Sequence, residues 1–169
     1  IHVIEGGNRM AYDLKRNRGK VSEIRQNIES KKSELAQLEM QKTELLDAVM
    51  DVQGAELDDK VKTEVKDAIN SALEANKNEG YELSNEMGSE AKQLEEMKQD
   101  TQESIDSARN EKGKIEKKQK MLERFGFGDK LDGAIQELDN NITELGEVNE
   151  EIISALQELS QVSQKLSGL

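Results

Sequence analysis

The chain contains no proline, no cysteine and no tryptophan, and its one histidine is His2. Without proline, helices can run long with no forced break. Without cysteine there is no disulfide framework and no thiolate metal site. Because His2 falls in the first seven residues, which look unlike the rest, a catalytic histidine or a histidine-based metal site is not expected. Aromatic residues make up 2% of the 169. No apolar run approaches the roughly 18 residues of a membrane span, and no cleavable signal-peptide pattern is visible. The chain is therefore expected in the cytoplasm or secreted without a cleaved signal. Its net charge of −12 disfavours nucleic acid as a general partner.

What remains is helix-forming. Charged residues account for 36% and apolar ones for 34%, too few apolar groups for a thick core but enough for narrow stripes between long helices. The stripes are visible. Leu131, Leu138, Leu145, Ile152, Leu159 and Leu166 recur every seven residues. Ile135, Ile142 and Leu156 follow members of that series by four, with Asn149 and Ser163 as polar members. This is a d/a seam kept for about five heptads, which a disordered chain has no reason to keep in phase. The fold class expected is all-α: an elongated antiparallel helical bundle or coiled coil of three to four long helices.

Helices are expected at about 8–53, 57–79, 81–124 and 130–167, in one helical domain over 8–169. The first seam is Leu14, Val21, Ile24, Ile28, Leu35, Leu38, Leu45, Val49 and Val52, interrupted by Asn17, Lys31 and Lys42. Gly54 can stop that helix, and Asp58 or Asp59 can cap the next. Asn76, Asn78, Gly80, Asn85 and Gly88 weaken the second rod, and a kink or break is expected near Gly80. Three rods of roughly 60–70 Å would result, at about 1.5 Å per residue. The alternative is one rod of about 100 Å over 57–124. The glycines of Phe125-Gly126-Phe127-Gly128-Asp129 mark the clearest turn, with Asp129 as the cap of the final helix. Ile1–Gly7 reads as a disordered leader, either a scar preceding a native start at Met10 or a genuine arm.

Charge is placed unevenly. Residues 8–32 carry eight basic and three acidic groups, and 109–124 carry seven against three. Residues 129–169 carry two basic groups against nine acidic ones. A hairpin at the Phe-Gly turn would set opposite charges side by side, which favours antiparallel pairing there.

Chemistry has little purchase. The adjacent pairs Glu95-Glu96 and Glu150-Glu151 point in different directions on a helix. No Glu-x-x-His motif of a diiron bundle exists. Gly126-Phe127-Gly128 has no following Lys-Ser/Thr to hold phosphate, and residues 129–133 lack the alternating ligands of a calcium loop. No catalytic, cofactor-binding or metal residue is assigned, and no small-molecule substrate is expected. The candidate interaction residues are Phe125, Gly126, Phe127, Gly128, Lys31, Lys42 and Asn149. The two phenylalanines would either seal the end of the bundle or form an exposed aromatic knob. Lys31, Lys42 and Asn149, polar groups in apolar seams, can set register or partner choice at a cost in stability.

Met10-Ala11-Tyr12-Asp13-Leu14 leads straight into a long helix, and glycine-bearing turns stand at Val52-Gln53-Gly54 and Phe125–Gly128. In these features the chain resembles the small helical-hairpin proteins of bacterial type VII secretion and their helical effector partners. That family carries Trp-x-Gly in its turn and Tyr-x-x-x-Asp/Glu in its tail. Both are missing here, so the likeness is one of architecture. It implies a non-enzymatic targeting or partner domain of a secreted protein. The function expected is a non-enzymatic protein–protein interaction module, binding another helical protein or itself as a homodimer. The alternative is a membrane-surface or pore-associated protein using the Phe125/Phe127 tip, although the mixed-charge helices disfavour a membrane partner.

Overall fold

The computed structural model describes residues 2–169, with side chains from Leu14 onward. Three α-helices, α1 (His2–Gly54), α2 (Asp59–Glu123) and α3 (Asp132–Ser167), are joined by short connections. A 3-10 turn, Gly128–Leu131, precedes α3. The chain is all-α, with no strand among the described residues.

The seam read for α1 is the face it buries: Leu14, Val21, Ile24, Ile28, Leu35 and Leu38 are all buried. Each such side chain contributes about 1.5–3 kcal/mol by leaving water. The helix begins at His2, ahead of the expected start at Asn8. With no proline in the way, a helix already nucleated downstream adds one hydrogen bond per residue as it extends. Whether Ile1 belongs to it lies outside the described residues.

The break expected near Gly80 is absent, and α2 is one helix of 65 residues. A glycine costs a helix about 1 kcal/mol relative to alanine. That is too little to break a helix packed on both sides of the site. Asn76 and Gly80 are buried members of the seam, in step with Ile69, Leu83, Met87 and Leu94.

In α3 the buried stripe is rotated from the one expected. Leu138, Leu145, Ile152 and Leu159 are buried, as the heptad required. Their companions are Val148, Ala155 and Val162, three residues on, whereas Ile135, Ile142, Asn149 and Leu156 are half-buried. A helix lying against two neighbours needs a stripe wider than the a/d seam of a two-stranded coil, with positions on either side of the d row partly covered.

The chain divides into two units. One comprises Ile1–Ile24 and Lys92–Leu156, the other Arg25–Ala91 and Gln157–Leu169. Each helix contributes a stretch to both.

In the first unit, Lys112 pairs with Asp139 and Gln119 with Asp132, so seven residues up α2 correspond to seven residues down α3. Arg18 of α1 meets Glu147 of α3 at 3.2 Å. In the second unit, Leu38 accepts from Asn76 while Lys31 pairs with Glu86 and Glu90. Lys32 and Lys42 of α1 reach Glu158 and Leu169 respectively. Arg18, Lys31 and Lys32 of α1 therefore face acidic groups of this same chain.

Candidate functional site

The Phe-Gly turn in the first unit is built by its backbone. The Phe127 N–H donates to the Leu122 carbonyl at 3.0 Å, and the Gly126 N–H to Glu123 at 3.1 Å. With Gly126 at φ +82°, this is a Schellman stop, which satisfies carbonyls that the helix end leaves open. Gly128 is required for a different reason. It is buried, and a Cβ there would overlap the Glu123 side chain. Gln119 ties the turn from behind, donating to the Gly128 carbonyl at 3.1 Å and to Asp132 Oδ1 at 2.6 Å. Asp129 does not cap α3 as expected. The 3-10 turn intervenes, and α3 starts at Asp132.

This geometry leaves the aromatics outside. Phe125 is 70% exposed and Phe127 55%, so the pair does not seal the helix ends. Met121, one turn before Phe125, is 62% exposed.

Below the turn, Lys112 Nζ lies 2.5 Å from Asp139 and 3.7 Å from Glu116. The hydrogen bond to Asp139 holds the lysine above its ordinary pKa of 10.5, with partial burial opposing. Asn149 stands at its expected seam position, where its Oδ1 is buried with no hydrogen-bond partner among the described residues.

In the second unit, both seam lysines are satisfied within the chain. Lys31 Nζ lies 2.7 Å from Glu90 Oε1 and 3.8 Å from Glu86, with the Lys31 and Glu90 side chains each 12% exposed. Lys42 Nζ donates to the Leu169 carbonyl. Sequence reasoning read Asn76 only as weakening its rod, whereas its side-chain amide donates across helices to the Leu38 carbonyl at 3.0 Å. Its fit to the seven-residue register was the available signal.

Sequence reasoning also missed the surface next to Lys42. Leu169 rests on Gly80, 3.2 Å from where a Cβ would stand. Leu46 and Met50 follow Lys42 by four and eight residues, on the same face of α1. No helix covers them: Leu46 is 47% exposed and Met50 70%. Val49, in the same turn of α1, is half-buried. At this level the seam between α1 and α2 is also loosely filled. An open cavity of about 360 Å³ is lined by Leu45, Ala72 and Ala75, between Glu44 and Glu79.

Among the described residues, no three His, Cys, Asp or Glu side chains are grouped to hold a metal ion. No helix there is long and apolar enough to cross a membrane. No protein-family model, curated protein or solved structure matches the chain.

Proposed function

We propose that the chain is a non-enzymatic helical interaction module that binds an amphipathic helix against Leu46, Val49 and Met50. One observation carries this. Leu46 and Met50 stand exposed one and two turns after Lys42 on the same face of α1. A helix laid there would bury both. It would be recognised by apolar anchors spaced three and four residues apart. We read the packing as antiparallel. In the second unit the α1–α2 contacts run in opposed numbering and the α1–α3 contacts in matched numbering, and in the first unit the α2–α3 contacts run in opposed numbering, which supports this. A place in bacterial protein secretion belongs to the same proposal, with the incoming helix supplied by a secreted partner or a second copy.

The test is the double variant Leu46→Asp/Met50→Asp. Both residues are exposed, so the fold should be kept, with stability within about 0.5 kcal/mol. Sedimentation equilibrium and pull-down from the source cell are run on both proteins. The reading expects a partner, or a self-associated species, that the variant loses while its circular dichroism is unchanged. Identical sedimentation and identical captured proteins for the two would refute it.

A further inference from the structure

We infer that the α2–α3 turn is a docking tip for an anionic lipid bilayer. Three exposed apolar side chains, Met121, Phe125 and Phe127, stand together in sequence at this turn. Around Met121, helical spacing sets Lys117 and Lys118 one turn before it, and Arg124 and Phe125 one turn after it. Lys117, Lys118 and Arg124 are exposed and have no ion-pair partner among the described residues.

Of the acidic groups nearby, Glu116 lies beside Lys112 and Asp132 accepts from Gln119. Glu123 and Asp129 remain exposed, against the exposed cations Lys117, Lys118, Lys120, Arg124 and Lys130. The turn thus presents unpaired cations flanking apolar groups, within a chain whose net charge is −12. Anionic lipid matches both features. The headgroups attract the cations, and the acyl boundary accepts the phenylalanines. An acidic protein partner would be expected to offer a concave apolar seat for a tip this small, far below the roughly 1,000 Å² of a stable protein interface. Nucleic acid would use the cations without needing the exposed apolar groups.

The full chain is floated with vesicles of phosphatidylcholine alone and of phosphatidylcholine with phosphatidylserine. Binding is expected to the second only, and to fall as salt is raised. Phe125→Ser/Phe127→Ser should weaken it at least tenfold. Lys117→Gln/Lys118→Gln should weaken it roughly thirtyfold, at about fivefold for each charge removed. All four positions are exposed, and circular dichroism checks that both variants stay folded. No flotation with anionic vesicles overturns the inference, and so does equal flotation of the phenylalanine variant. Binding to duplex DNA that exceeds vesicle binding and ignores the phenylalanines would reassign the tip to nucleic acid and overturn it too. The groove variant Leu46→Asp/Met50→Asp should float like the original chain, so the two surfaces fail or stand separately.

Discussion

Replacing Lys31 should destabilise the second unit, and replacing its partner at the same time should restore it. Lys31 Nζ and Glu90 Oε1 are 2.7 Å apart, with both side chains 12% exposed. Exposed ion pairs contribute about 0–1 kcal/mol, whereas breaking a fully buried one costs about 3–5 kcal/mol, because a charge is left with no partner. This pair lies between those limits. Lys31→Met strands the Glu90 carboxylate, whose Oε2 already lacks a hydrogen-bond partner among the described residues. A loss of about 2–3 kcal/mol is expected. Glu90→Leu should cost only about 1 kcal/mol, because Glu86 remains within 3.8 Å of the lysine and the long stem can carry the charge outward. The double variant Lys31→Met/Glu90→Leu removes the desolvation cost and fills the seam with apolar volume. Its stability should equal or exceed the original by up to about 2 kcal/mol. Urea unfolding followed at 222 nm measures all four proteins, with similar slopes expected. Two single variants within about 0.5 kcal/mol of the original, with an additive double, would refute the reasoning.

Gly80→Ala should stabilise by about 0.5–1 kcal/mol through helix propensity, with the Leu169 side chain yielding. Gly80→Leu should destabilise by about 1–3 kcal/mol through overpacking, both read by urea midpoint. At the turn, Gly126→Ala should cost about 1–2 kcal/mol for its positive φ. Gly128→Ala should cost about 1–3 kcal/mol for its overlap with Glu123, and thermal unfolding ranks the two. Asn149→Leu should raise stability by about 1 kcal/mol, since it removes a buried oxygen without a partner; an unchanged midpoint would count against that. The raised pKa of Lys112 means that its bond to Asp139 contributes fully below the ordinary lysine value. The contribution is lost as pH rises through the raised one. A Lys112→Met variant should therefore differ most from the original below about pH 10 and converge with it above, in midpoints taken across pH 8–12.

Much of the fold was legible because a seven-residue period is a local property. Leu14 to Leu38 in α1 and Leu138 to Leu159 in α3 are buried as their spacing required. The α3 companions were misassigned because spacing identifies one row. Which flank it shares depends on where two neighbouring helices lie. Val148, Ala155 and Val162 carried a period of seven that could have revealed them. Gly80 was misread because propensity treats glycine as a break, whereas its role here is to admit Leu169. The partners of Lys31 and Lys42, Glu90 and Leu169, lie 59 and 127 residues away. No local pattern links positions so far apart.

Composition and periodicity alone determined that this chain is helical, that its stripes are narrow, and that it has no cysteine and a single histidine. Those properties follow from side-chain chemistry and the 3.6-residue turn. Only the tertiary structure decided which polar seam residues are satisfied, that Phe125 and Phe127 stand outside the core, and that Leu46 and Met50 are left uncovered. Burial is a relation between helices, set by register and by which side chains lie opposite one another, and a single helix does not encode either.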